Sequence, residues 1–168
     1  MPELERLSVE AYKNQERQPI VLVLDNIRSG LNVGSIFRTA DAFNIEKIIC
    51  CGITPVPPNR EVLKSALGST ETVIWEEESS ILEVIQKLRM AGIACFAIEQ
   101  TEDSLWLHEF KRTADKRYAF ILGNEVDGVN QAAIHICDGA LEIEQFGTKH
   151  SLNVAVCAGI LLNSLRFK

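Results

Sequence analysis

The chain reads as an α/β domain with a mainly parallel sheet flanked by helices, on three observations. Short β-prone apolar runs alternate with helical stretches along almost its whole length. The clearest run, Ile-Val-Leu-Val-Leu at 20–24, is apolar at every position, the pattern of a strand covered on both faces. Polar, glycine-containing segments follow several runs, and open parallel sheets bind ligands beyond the carboxyl ends of their strands.

The elements follow in order. Residues 1–18 carry Leu4, Leu7 and Tyr12 near one face among many charges, which predicts an amphipathic helical extension. The strand at 20–24 ends at Asp25-Asn26, and a loop with Gly30 leads to a helix over 33–43. A strand is expected at 47–51, then a loop over 52–59 with three prolines, then a strand at 73–75. Ser79 or Ser80 caps a helix to Met90, and Gly92 ends it. Strands follow at 93–98, 118–122 and 140–143, and a helix over 151–167, apolar on most faces, is expected to be largely buried. With 168 residues and no linker or repeat, a single domain over 1–168 is expected.

Composition narrows the function classes. Hydrophobic residues at 46% and charged ones at 24% suit a soluble globular protein, and no apolar run reaches the roughly 18 residues that span a bilayer. The start, Met1-Pro2-Glu3-Leu4-Glu5, lacks a signal-peptide pattern, so a cytoplasmic protein is expected, with no membrane partner. The five cysteines form no C-x-x-C pair and sit in apolar company, so they read as buried reduced thiols. Three scattered histidines add no ligand cluster, and no metal is expected. A net charge of −6 argues against a broad nucleic-acid surface. Any RNA site must use local cations: Lys111-Arg112, Lys116-Arg117, Arg60 with Lys64, or Lys149-His150.

Three segments carry candidate chemistry. In Asn32-Val33-Gly34-Ser35-Ile36-Phe37-Arg38-Thr39-Ala40, Asn32 stands ahead of a helix, where it could simply cap it. Gly34 allows close backbone approach. Arg38 is a guanidinium among uncharged neighbours, with a surface arginine or a structural ion pair as its ordinary uses. In Leu122-Gly123-Asn124-Glu125-Val126-Asp127-Gly128, Gly123 directly after a strand lets main chain face a ligand, and Glu125 can hold loop N–H groups or orient an arginine. Asp127-Gly128 by itself marks a turn. In the third, from Ile143 to Val154, Gly147 lies in a loop before Ser151, a plausible helix cap, and Asn153, expected in the first helical turn.

These segments, in this order, resemble the motifs of the SpoU (TrmH-like) family of SPOUT RNA 2′-O-ribose methyltransferases, over about residues 20–166. The family patterns N-x-G-x-x-x-R-x-A and L-G-x-E-x-x-G are complete at Asn32, Gly34, Arg38 and Ala40 and at Leu122, Gly123, Glu125 and Gly128. The third pattern, I-P-x-x-G with S-L-N-V, matches at Ile143, Gly147, Ser151, Leu152, Asn153 and Val154, and departs at Glu144, where the family usually has proline.

The resemblance implies methyl transfer from S-adenosyl-L-methionine to a ribose 2′-hydroxyl of tRNA or rRNA. It also implies a C-terminal trefoil knot and a homodimer with the site at the subunit interface. Arg38, Asn32, Glu125, Ser151 and Asn153 carry over as catalytic, site-forming residues. Leu122, Ser151 and the backbone at Gly123, Ile143, Gln145 and Leu152 carry over as cofactor contacts, with Gln100, after the strand at 93–98, as a further candidate. The family role for Arg38 is base; its permanent charge suits a bidentate phosphate clamp instead. A non-catalytic RNA-binding module on the same fold is the alternative from another class. A phosphate-loop hydrolase is rejected because Gly30–Ser35 lacks the lysine and the glycine spacing, and the lack of a G-x-G-x-x-G after the first strand disfavours a Rossmann dehydrogenase or Rossmann-type methyltransferase.

Overall fold

The computed structural model describes residues 15–148 and 151–166, omitting the Arg166 side chain. It contains one sheet of seven strands: β1 (Gln18–Asp25), β2 (Ile45–Cys51), β3 (Trp75–Glu78), β4 (Ala94–Ile98), β5 (Leu105–Trp106), β6 (Tyr118–Gly123) and β7 (Gly139–Glu142). The spatial order is β3-β2-β1-β6-β4-β7-β5, and every pairing is parallel. Four helices connect strands, α1 (Gly30–Ala42), α2 (Arg60–Ala66), α3 (Ile81–Met90) and α4 (Gln131–Ile136), with a 3-10 turn at Ser69–Glu71, and α5 (Val154–Arg166) follows β7.

The continuous apolar strands are covered on both faces, as their composition requires. Leu22, Leu24, Phe120 and Leu122 point to the side of α1 and α5, where Ile36, Phe37, Leu161 and Leu162 complete one core. Val21, Val23, Ala119 and Ile121 point to the side of α3 and α4, against Val84, Ile85 and Ala133. Gly34 is where α1 and α2 touch: a Cβ there would lie 2.1 Å from Ser65 Oγ and 2.3 Å from the Val62 carbonyl.

Several boundaries differ from the sequence reading. The expected N-terminal helix lies largely outside the described residues, but Gln15–Arg17 are not helical and Gln18 already belongs to β1. Helix α1 starts earlier than residue 33 because Ser29 caps it, accepting the Asn32 N–H at 3.3 Å. Helices α2 and α4 were not expected; each is capped by an asparagine, Asn59 and Asn130. The strand expected at 73–75 lies at Trp75–Glu78, an edge strand whose glutamates face outward. Ser80, not Ser79, caps α3.

Helix α5 starts at Val154 instead of Ser151, and it is less buried than expected: Val156 and Ile160 are 49% and 38% exposed. Cys50, Cys51 and Cys95 are buried free thiols, pushed up to about 12 by burial, while Cys137 and Cys157 are only half-buried.

Candidate active site

The carboxyl ends of β6, β4 and β7 meet in a cleft of about 390 Å³. Its walls are Ile98, Leu122, Leu141, Ile143, Leu152 and Val154; around them stand the carboxylates of Glu99, Glu125, Asp127 and Glu142, and among the described residues no lysine or arginine joins the lining. Apolar walls suit a flat ring, and the carboxylates suit a ligand carrying positive charge and hydroxyl donors. A second hollow, about 270 Å³, opens elsewhere among Gln18, Phe43 and Arg112 and touches none of the three segments.

All seven residues expected around a cofactor (Gln100, Leu122, Gly123, Ile143, Gln145, Ser151 and Leu152) line the cleft. Gly123 has a reason to be glycine other than facing a ligand. A Cβ there would lie 2.1 Å from the Gly128 carbonyl carbon and the Val129 nitrogen, because the 124–128 loop folds back over the strand end. That loop is closed by Asn124 and Gly128, which exchange backbone hydrogen bonds at 3.1 Å. Inside it, Asn124 Oδ1 accepts the N–H groups of Val126 and Asp127 at 2.8 Å.

Of the five expected catalytic residues, three are joined by direct hydrogen bonds. Asn32 does not cap α1, since Ser29 does; it sits in the first turn with its side chain turned outward. Its Nδ2 donates to Glu125 Oε1 at 2.7 Å, and its Oδ1 accepts from Asn153 Nδ2 at 3.0 Å. Asn153 precedes α5 instead of lying in its first turn, and it is the cap: its Oδ1 accepts the N–H of Ala155 at 2.9 Å and of Val156 at 3.4 Å. One relay of amides therefore ties all three segments together, with a helix N-terminus at one end and a carboxylate at the other.

Partial burial alone would push the Glu125 carboxyl up. Hydrogen bonds from the Asn32 side chain and from the N–H groups of Glu125, Arg28 and Ser29 outweigh it and hold the group below the ordinary carboxylate value. Ser151 lines the cleft without capping a helix. Arg38 does not join them. It is exposed on α1, about 9 Å along the helix axis from Asn32, and among the described residues it has no hydrogen-bond or ion-pair partner.

The sequence reading missed three groups that shape the rim. Asp25, buried at the end of β1, accepts the Asn130 N–H at 2.9 Å and the Asn26 side chain at 2.8 Å. Glu99 accepts the N–H groups of Gln100 and Val129, both at 3.1 Å. Asp127 pairs with Arg28 across the two loops at 3.5 Å. A carboxylate directly after a buried strand, as at both Asp25 and Glu99, was the available signal.

The SpoU rRNA Methylase family matches residues 19–163, which includes every one of these groups. The chain belongs to that family. Among its SpoU relatives, a 23S rRNA (guanosine-2′-O-)-methyltransferase RlmB of Neisseria meningitidis is 30% identical over 157 residues, covering 94% of this chain and 62% of the relative.

The AdoMet-bound rRNA methyltransferase from Sinorhizobium meliloti superimposes with a TM-score of 0.82 at 27% identity, over 92% of this chain and 59% of that one. The A. aeolicus TrmH/SpoU tRNA modifying enzyme shares the fold, with a TM-score of 0.82 at 23% identity over 93% of this chain and 79% of that one. This SpoU chain thus spans about three fifths of the length of the curated relatives it matches. Among its described residues, no helix is long and apolar enough to cross a membrane, and no group of three or more His, Cys, Asp or Glu could hold a metal ion.

Proposed function

We propose that this protein transfers a methyl group from S-adenosylmethionine to a ribose 2′-hydroxyl of rRNA or tRNA in the cytoplasm. The amide relay from Asn153 through Asn32 to Glu125 carries the reading, because it draws three distant segments to one rim beside the cleft. Family membership and the AdoMet-bound relative support the cofactor. The lining fits it: the carboxylates of Glu99, Glu125, Asp127 and Glu142 suit a sulfonium and an ammonium group, and the apolar walls suit an adenine.

The bound cofactor would supply an electrophilic methyl carbon, its sulfur keeping the bonding pair as the C–S bond breaks; the hydroxyl proton would pass to solvent, and the chain supplies position. Leu122, Ile143 and Leu152 would hold the adenine end while Gln100 and Glu142 bind hydroxyls. Glu125, held ionised by its donors, is a weak base and acts by orienting Asn32. Arg38, always charged, clamps a phosphate next to the target ribose.

Arg38 lies on the outward stripe of α1 with Ser35 and Leu31, about one and two turns away. Leu31 (45% exposed), with Val156 and Ile160 of the adjacent α5, makes an apolar surface suited to a second copy of the chain. A homodimer through that surface would carry Arg38 towards the partner's cleft.

The test is mass-spectrometric mapping of RNA from cells with and without the protein. Loss of one 2′-O-methyl nucleotide, restored by wild type and not by Arg38→Ala, is expected. An unchanged tRNA and rRNA profile, together with no thermal stabilisation by S-adenosylhomocysteine, would instead favour a non-catalytic RNA-binding module.

A further inference from the structure

The edge of the sheet beside the cleft carries aromatic and cationic side chains that the methyl-transfer site leaves unused. Trp106 of β5 lies opposite Glu142 of β7, and the Leu107 N–H donates to the Glu142 carbonyl at 2.8 Å. Glu142 lines the cleft, so Trp106 stands one strand spacing, about 4.8 Å, from its wall.

Beyond Trp106 the chain turns: the Glu109 N–H donates to the Trp106 carbonyl at 2.9 Å and the Phe110 N–H to the Leu107 carbonyl at 3.3 Å. Leu107 is buried and anchors the segment to the core, while Trp106 and His108 stand outside it. Their rings are parallel, with 12° between the planes and 6.5 Å between the centroids. Trp106 is 36% exposed, and His108 is exposed as well.

Cations follow directly. Residues 105–117 hold four of them against two carboxylates, in a chain whose net charge is −6. Arg112 donates to the Leu165 carbonyl and Arg117 pairs with Glu46, so these two are committed to the fold. Lys111 and Lys116 are exposed and have no ion pair among the described residues.

We propose that Trp106 and His108 form a stacking platform for an unpaired base of the RNA near the modified nucleotide, with Lys111 and Lys116 receiving its backbone phosphates. Parallel rings held by a strand end and the hydrogen-bonded turn after it present a planar face with little ordering cost, and every base has a π-face to offer. Lys111 gives attraction close to the turn, and Lys116, which precedes β6 at the amino ends of the strands, offers a second charge farther along a single strand of RNA laid over this edge. The platform is an RNA surface outside the cofactor cleft, and the proposal rests on the RNA reading above.

The full chain carrying Trp75→Phe leaves Trp106 as its one tryptophan, and a twelve-nucleotide single-stranded oligoadenylate serves as the probe. Titration is expected to quench Trp106 emission. Trp106→Ala and His108→Ala should each weaken the Kd, the former about tenfold, while Trp106→Phe stays within about threefold of wild type. Lys111→Gln with Lys116→Gln should lower the slope of log affinity on log salt by about 1.4. S-adenosylhomocysteine binding should be unchanged in all of these, and melting temperature unchanged in the lysine variants.

Absence of quenching, an unaltered Kd in Trp106→Ala, or full rescue by Trp106→Leu would overturn the platform. Methyl transfer to bulk RNA from cells lacking the protein separates the two proposals. Wild-type turnover with an unchanged KM in Trp106→Ala sinks the platform alone. Oligoadenylate binding with quenching, but no methyl transfer and no S-adenosylhomocysteine binding, sinks the methyltransferase reading and leaves the platform standing.

Discussion

Asn153 Nδ2 donates to Asn32 Oδ1 at 3.0 Å, joining positions 121 residues apart in the chain. The same Asn153 caps α5 through its Oδ1, so the position of a helix and the orientation of a rim amide depend on one side chain. Neither function can be moved independently of the other in the native protein, but chemistry can separate them.

Asn153→Asp keeps the capping oxygen and loses the donor to Asn32. Its melting temperature should stay near wild type, while single-turnover methyl transfer falls at least about tenfold, since one hydrogen bond to a charged or aligned group is worth roughly 1.5 kcal/mol. Asn153→Ala loses the cap as well and should cost about 1 kcal/mol of stability in urea titration. Equal activity in wild type and Asn153→Asp would remove the relay from the mechanism.

Arg38→Lys and Arg38→Ala should both melt like wild type, because the side chain is exposed and holds nothing in the fold. Both should lose methyl transfer by about 100-fold, as when one preorganised donor is removed from a charged transition state. Lysine rescuing half or more of the rate would show that charge suffices and the planar fork is not needed.

Glu125 titrates below its ordinary value in the folded chain. A lowered folded pKa stabilises the protein above the unfolded value of about 4.3, and that contribution disappears as pH falls through the folded value. Wild type should therefore exceed Glu125→Gln in melting temperature at pH 7, and the gap should close as the pH falls below the unfolded value and through the lowered folded one. A gap that widens on acidification would contradict the hydrogen-bonded carboxylate.

Gly34→Ala should destabilise by about 1–3 kcal/mol in urea titration, the cost of overpacking a helix crossing. Adding Ser65→Gly should recover only part of it, because the Val62 carbonyl, 2.3 Å from the new Cβ, is backbone and cannot be trimmed. Full recovery would mean that the two helices separate freely.

The central strands were legible because burial on both faces leaves an unbroken apolar run, as at Ile20–Leu24. The three motif segments were legible through their order. Strand β3 was displaced in the reading because Glu76, Glu77 and Glu78 at a sheet edge have no apolar signature, and the two residues of β5 are too few to show one. Helices of seven and six residues, α2 and α4, complete no periodic pattern, though Asn59 and Asn130 announced both starts. Asn32 and Asn153 were ambiguous for a physical reason: an asparagine before a helix can cap it or reach outward. Ser29 decides the first case, and Asn153 does both at once. Asp25 and Glu99 escaped because their partners are backbone N–H groups 105 and 30 residues away.

The strand order also constrains how the chain is made. Strand β4 pairs only with β6 and β7, both of which come later in the sequence, and β6 is the piece that joins β4 to β1. A nascent chain that has emerged only to residue 117 holds β1 to β3 as one fragment and β4 as a strand with no neighbour. Ala94–Ile98, with Cys95 and Ala97 destined for full burial, waits for the ribosome to deliver Tyr118–Gly123. Assembly is therefore late and non-local, which makes folding slow relative to a helical protein of this size and gives chaperones a defined apolar segment to hold in the interval.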